Sequence, residues 1–268
     1  MPSSNYSTTG SIKITLSNIS LPWLIFTLVI FSGLIKLGLW QGDRAIEKEA
    51  RLERMVELKQ QNSLSLVQVL ALKASNSQVD YINDFPVTID GDFLPEPIFL
   101  LDNQTNKNSL GYRVYQVVKS GEQAVLVNLG WTQGSINRQE LPKVTALAGP
   151  YKFQGHVRYI EKGIMLMEQK LEGNQWPLRI QQVELEKIST LIGVQLLPFV
   201  VYLDKNEGLG FVKNWQPIVM PPEKHRAYAF QWFSLAVAWL SLMIWASYRF
   251  SRETDANNKK HNKNYKKV

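Results

Sequence analysis

Two uninterrupted apolar runs frame this sequence. Residues 21–40 read LPWLIFTLVIFSGLIKLGLW and carry a single charge, Lys36, about one turn from the end. Residues 227–248 read AYAFQWFSLAVAWLSLMIWASY and carry no ionised side chain. A bilayer core takes about 20 apolar residues of helix at a rise of about 1.5 Å each, so both runs predict membrane spans. Two soluble helices this apolar all round would need a much larger protein to cover them. The first run is too long for a signal peptide, starts behind a weakly charged leader, and is followed by Trp40-Gln41-Gly42-Asp43-Arg44 rather than a small-residue cleavage site, which predicts an uncleaved anchor.

Between the runs the period changes twice. Residues 42–60 read as a helix, with Glu47 and Arg51 spaced to pair four apart and Leu52, Met55 and Val56 forming a short apolar stripe on a solvated stalk. From about residue 85 the period is two. Val87, Ile89 and Phe93 share one face of a strand, opposite Thr88, Asp90 and Asp92. Val125, Val127, Leu129 and Trp131 make a second one-sided row. Phe153, Val157 and Tyr159 make a third, opposite Lys152, Gln154, His156 and Arg158. Further strands are predicted at 97–103, 111–119 and 197–203, and one helix at 182–192 with Val183, Ile188, Leu191 and Ile192 facing inward. Turn signals separate them at 103–108, Ser120-Gly121, Gly149-Pro150, Lys162-Gly163 and Asn206-Glu207-Gly208. The fold class is therefore two transmembrane helices flanking a mainly antiparallel β (α+β) domain, a sandwich or a barrel. The expected division is a terminus at 1–20, a span at 21–41, the β-rich domain with its stalk at 42–226, a span at 227–248 and a tail at 249–268.

Charge supplies the orientation. Lys and Arg number 30 against 23 Asp and Glu. The excess is not on the domain: residues 42–226 hold 21 basic and 21 acidic side chains. The tail is basic, with Arg249, Arg252, Lys259, Lys260, Lys263, Lys266 and Lys267 against Glu253 and Asp255. The positive-inside rule keeps that tail cytoplasmic. Two spans then make the N-terminus cytoplasmic, in keeping with Lys13, and carry the domain across the bilayer, to the periplasmic side of a bacterial inner membrane. A neutral domain argues against nucleic-acid binding.

There is no cysteine, which excludes disulfide scaffolds, thiolate metal sites and Cys nucleophiles. HExxH, GxSxG and P-loop motifs are all missing. His156 falls on the polar side of its strand, as a solvated imidazole would, and Asp90 and Asp92 fall on an outer face. No nucleophile, base and orienting group assemble, so a non-enzymatic protein is expected. One constellation stands out at the membrane boundary. On a helix, His225, Tyr228, Trp232 and Trp239 fall along one stripe, at offsets 3, 7 and 14. An imidazole among flat rings suits a haem, and Arg44, Lys224 and Arg226 stand where propionates would meet water. An ordinary interfacial aromatic belt with flanking basic residues accounts for the same pattern.

Several of these segments resemble one family. Leu37-Gly38-Leu39-Trp40-Gln41 followed by Arg44 is similar to the "LGxWQ..R" end of the first span in the surfeit locus protein 1 family, and Val125-Leu126-Val127-Asn128-Leu129-Gly130-Trp131 resembles its "VLVNRGW". Leu196-Leu197-Pro198 matches a strand start. His225-Arg226-Ala227-Tyr228-Ala229-Phe230-Gln231-Trp232-Phe233 resembles the "HxxYAxQWF" opening of the second span. The resemblance runs in order over about 20–250. It implies a cytochrome c oxidase assembly factor that assists delivery of haem a to subunit I, with His225 as axial ligand. Trp40, Arg44, Tyr228 and Trp232 would shape the haem site. Gln41 and Gln231 would be partner contacts. Subunit I, other assembly factors and the bilayer are the implied partners. A scaffold that holds oxidase subunits without touching haem is the alternative. Leu129 in place of the motif's Arg, Arg226-Ala227 in place of Leu-Gly, and the segment 111–115 mark a divergent member.

Overall fold

The computed structural model describes residues 21–76, 78–160, 171 and 175–265. In chain order these form helix α1 (Leu21–Lys59), helix α2 (Leu66–Ser75), a 3-10 turn (Val79–Ile82) and strands β1 (Pro86–Asn106), β2 (Ser109–Ser120), β3 (Gln123–Gln133), β4 (Gly149–Arg158) and β5 (Leu178–Ile180). Helix α3 (Leu185–Ile192), strand β6 (Leu196–Leu203) and helix α4 (Pro222–Tyr265) follow. They divide into a helical unit, containing the chain up to Ala50 and from Ile218 onward, and a β unit, Arg51–Pro217.

In the helical unit, α1 and the Pro222–Phe250 part of α4 are each long and apolar enough to cross a membrane. The stalk helix predicted at 42–60 is continuous with the first apolar run, since no Pro or Gly cluster interrupts it. The second helix starts at Pro222, earlier than 227, because proline suits the first helical position, where an unpaired N–H is no loss. The two helices run antiparallel along a seam in which small residues alternate with large ones. On α4 the covered positions include His225, Ala229, Trp232, Ala236, Trp239 and Met243; on α1 they include Thr27, Phe31, Leu34, Gly38, Gln41 and Ala45, with Ile30, Ile35 and Gly42 partly covered beside them. Both rows alternate steps of four and three, the 3.5-residue repeat that keeps one stripe against a partner helix. Small side chains let two such helices approach closely. A Cβ added at Gly38 would stand 2.5 Å from the Phe233 ring. At the other end Trp239 packs edge-on against Phe26, with centroids 5.7 Å apart.

In the β unit the six strands form one sheet in the order β2-β3-β6-β4-β1-β5. The first and fifth of these, β2 and β1, also pair, so five strands close into a ring. The unit is thus a barrel and not a sandwich. The closing element is β1, whose early half pairs with β4 from Pro86 to Phe93 while its later half pairs with β2 as far as Asn106. It joins the two strands predicted at 85–93 and 97–103; the register with β2 shifts between Phe93 and Ile98, where Pro95 and Pro97 cannot donate to a ladder. The β3–β6 and β1–β5 pairs are parallel; the remaining pairs are antiparallel.

One core cluster draws Val87, Ile89, Phe93, Val114, Val127, Leu129, Phe153, Val157 and Val201 from all five ring strands. The opposite sheet face carries a second cluster, with Phe99, Tyr115, Leu126, Val200 and Tyr202 packed under Ile188 of α3. Hence β3 is covered on both faces and is not the one-sided row its sequence suggests. Gly130, at φ 113, leaves no room for a side chain, since an added Cβ would lie 2.8 Å from the backbone at Phe211. Asp90 and Asp92 are exposed, as expected.

The charge pattern near Arg51 also differs from the expected one. Glu47 pairs with Arg44 and Lys48, and Arg51 reaches Asp84 with both Nε (3.2 Å) and Nη2 (3.1 Å). Arg158 adds a third contact to Asp84, at 3.1 Å. A buried carboxylate between two half-buried guanidiniums outcompetes an exposed i,i+4 pair. The Lys162-Gly163 turn lies outside the described residues.

Candidate functional site

The seam places His225 in the first turn of α4. Its Nδ1 lies 2.7 Å from Oε1 of Gln41 on α1. A carbonyl oxygen accepts, so Nδ1 carries the proton, and the neutral ring then presents its lone pair at Nε2. Among the described residues Nε2 has no hydrogen-bond partner. An imidazole whose one nitrogen is fixed by an amide oxygen while the other stays open has the outer-shell arrangement common to metal-ligating histidines. The ring is half-buried, with Ala229 and Trp232 on the same face one and two turns further along α4.

The other sequence-derived candidates divide into three groups. Gln41 meets His225 across the seam and so can orient its ring. Trp40 and Arg44, one turn apart on α1, meet each other, with the guanidinium 5.8 Å from the indole centroid. Tyr228 and Gln231 are exposed beside the seam, and Trp232 is half-covered within it. Two of the three cations expected near propionates already have carboxylate partners: Arg44 pairs with Glu47 at 2.5 Å and Arg226 with Glu49 at 2.6 Å. The hydrogen bonds from Lys48 and then Arg44 hold the Glu47 carboxyl below its ordinary range. Trp239, the last member of the predicted stripe, donates from Nε1 to the carbonyl of Thr27 at 3.2 Å. Fourteen residues of helix separate it from His225, about 21 Å, too far to share a ligand at the imidazole.

The Gln41 and Glu49 contacts were not visible in the sequence, because 184 and 177 residues separate the partners. The seam repeat was the available signal: His225, Trp232 and Trp239 are seven apart, as are Thr27, Leu34 and Gln41. No group of three or more His, Asp or Glu suited to a metal ion occurs among the described residues.

His156, in the β unit, is not the solvated imidazole expected of it. Its Nδ1 lies 3.1 Å from Asp204 Oδ1, its ring packs 4.5 Å from that of Trp215, and Nε2 is buried without a hydrogen-bond partner among the described residues. The strand's polar face is roofed by the Asp204–Trp215 loop, which strand alternation does not reveal.

The model of the SURF1 family matches residues 28–237, from within α1 to within α4. No curated protein matches the chain. The matched stretch includes most of both arms of the seam, with His225 and Gln41, and the whole barrel, and on that coverage the chain belongs to the SURF1 family, a family of cytochrome c oxidase assembly factors rather than of enzymes.

Proposed function

We propose that this protein assists the maturation of oxidase subunit I by handling haem a at the His225 end of the helix pair. The observation that carries the reading is the Nδ1–Gln41 hydrogen bond, which leaves Nε2 as an iron-competent donor. His225 would be the axial ligand. Trp232 on the same face of α4 would offer an apolar flank. Tyr228 and Trp40, both about half-exposed, would provide ring contacts at its border. Arg44 and Arg226 would reach propionates only by exchanging their carboxylate partners, so Lys224, exposed in the first turn of α4, is the better counter-ion. When bound, the porphyrin supplies the redox-active iron; the chain itself holds, orients and partly shields it. A single protein ligand with one exposed side suits a carrier that must release its cargo.

The basic tail argues that both termini are cytoplasmic and that the barrel is periplasmic in a bacterial inner membrane. Subunit I and other assembly factors are the expected partners. The test is the visible spectrum of the protein purified from cells that make haem a, alongside His225→Ala. A haem a spectrum in the wild type that is lost in the variant supports the reading. A colourless wild type, or an unchanged variant, overturns direct ligation. If subunit I still co-purifies with such a protein, the scaffold reading takes its place.

A further inference from the structure

The β unit carries a second candidate site, independent of the haem reading. A cleft outside the ring is lined by Arg113, Asn128, Tyr202, Lys213, Asn214 and Trp215. Two of these are cations with no ion-paired carboxylate among the described residues. Arg113 has no hydrogen bond or ion pair among the described residues; its Nε is buried and unpartnered, and its guanidinium sits 5.8 Å from the Tyr202 ring centroid. Lys213 is half-buried, and Nζ is held by the main-chain carbonyls of Glu207, at 2.9 Å, and Leu209. The Glu207 carboxylate, whose charge acts on Lys213, accepts from the Gln154 N–H at 2.6 Å.

Elsewhere in this unit Arg51 and Arg158 share the Asp84 carboxylate, while Arg54 and Arg179 donate to the main-chain carbonyls of Tyr81 and Arg138 and lie over aromatic rings. Removing a cation from water without a counter-charge is costly. Burial accordingly pushes the Lys213 ammonium below its ordinary range, and Glu207 offsets this only in part. An anion entering the cleft would recover that cost at both cations at once. The walls narrow the choice. Trp215, clamped by His156 at 4.5 Å and by Arg158 at 5.2 Å, and the buried Tyr202 present aromatic surface beside the two charges. Rings beside cations suit a carboxylate flanked by apolar groups better than a fully hydrated inorganic anion.

We infer that this cleft binds a carboxylate of a partner protein, an acidic side chain or a chain terminus flanked by apolar residues, between Arg113 and Lys213. The full chain in detergent, labelled with 5-fluorotryptophan, tests it, with the Trp215 resonance identified through Trp215→Phe. The titrants are acetyl-Leu-Asp-Leu-amide, its Asn counterpart, and acetyl-Leu-Leu with a free terminus. A saturable Trp215 shift with either acid, about tenfold weaker with the Asn peptide, is expected; whichever acid binds more tightly identifies the source of the carboxylate. Arg113→Met and Lys213→Met should each weaken it by a similar factor at an unchanged melting temperature; if Arg113→Met does not fold, Lys213→Met alone decides. Equal binding of Asp and Asn peptides, unaltered binding by folded variants, no saturable shift, or tighter binding of inorganic phosphate than of either acid would overturn the proposal.

Discussion

Trp239 and Thr27 form the second rung of a ladder whose first rung is His225 and Gln41. The indole N–H meets the Thr27 carbonyl at 3.2 Å and the imidazole meets the Gln41 amide at 2.7 Å, with fourteen residues between rungs on both helices. Two whole heptads thus separate the polar contacts, and the apolar seam between them fixes both. Helix register and imidazole orientation are therefore one property: sliding either helix by a single turn removes both hydrogen bonds together.

A tight point of that seam is Gly38, where an added Cβ meets the Phe233 ring at 2.5 Å. Phe233 is partly exposed, so its ring can swing aside for one methyl group but not for a branched side chain. Gly38→Ala should leave the pairing intact, while Gly38→Leu should separate the helices. Because the chain has no cysteine, a pair introduced at 27 and 239 reports this directly through a short bis-maleimide. Cross-linking should persist in the alanine variant and fall by about tenfold in the leucine variant, as for the loss of roughly 1.4 kcal/mol of helix packing. Equal cross-linking in both would dissociate Gly38 from the pairing.

Gln41 acts on His225 through the proton it fixes at Nδ1. Gln41→Leu leaves the ring free to rotate and to place its proton on either nitrogen, so the fraction presenting a lone pair outward falls. Outer-shell partners of this kind change metal affinity by about 10–100-fold. Haem titration followed in the visible region should show weaker binding by that order in Gln41→Leu, with the same band positions, and no specific band in His225→Ala. A Gln41→Leu affinity equal to wild type would leave the amide with no part in ligand binding.

What the sequence revealed and what it hid follow from how local each cause is. The apolar runs at 21–40 and 227–248 were legible because a span needs nothing but its own composition. The strand faces at Val87, Ile89 and Phe93 and at Phe153 and Val157 were legible from period two alone. Closure of the ring was not, because it depends on β1 changing partners between Phe93 and Ile98, and a Pro-rich bend looks the same in sequence as a loop between two strands. Helix α2 is not among the elements the periodicity predicts, although its start signal is present: Ser65 and Gln68 form a capping box, each side chain bonding the other's backbone N–H. The apolar run LVQVLALKAS has little periodicity to reveal it. Of the candidate site, His225 was legible from its motif, and Gln41 as its partner was not. The rows 27, 34, 41 and 225, 232, 239 each show a heptad; only the antiparallel pairing says which rung meets which.

Asp84 should be the most sensitive acidic position of the barrel unit. Its side chain is 6% exposed, accepts from Arg51 and Arg158, and its backbone stands at φ 71. Asparagine tolerates that left-handed conformation well, so Asp84→Asn isolates the loss of charge. It leaves two half-buried guanidiniums facing a neutral amide, which should cost about 2 kcal/mol, less than a fully buried pair because both arginines retain contact with water. Urea unfolding of the full chain in detergent measures it. Arg51→Met and Arg158→Met should each cost less, because the remaining arginine still answers the carboxylate. An Asp84→Asn midpoint within error of wild type would remove the ion-pair cluster from the stability of the unit.

Tyr115 should contribute to the alkaline limit of the same unit. Its hydroxyl is fully buried, 3.3 Å from the Tyr202 hydroxyl and 3.4 Å from Asn128 Nδ2, which donates to it. Burial, reinforced by Tyr202, pushes the phenol well above its ordinary value of 10.0. In the unfolded chain the same phenol ionises near 10.0, so above that pH the unfolded state has lost a proton that the folded state keeps. The folded state therefore binds more protons, and stability declines as pH rises beyond about 10, by at most roughly 1.4 kcal/mol per pH unit from this group. Below pH 10 the group contributes no slope. Tyr115→Phe should lower stability by about 1 kcal/mol at neutral pH through the lost hydrogen bonds, yet flatten the alkaline decline, so that the wild-type and variant unfolding curves converge between pH 10 and 11. Parallel decline of the two proteins across that range would assign the alkaline limit to other groups.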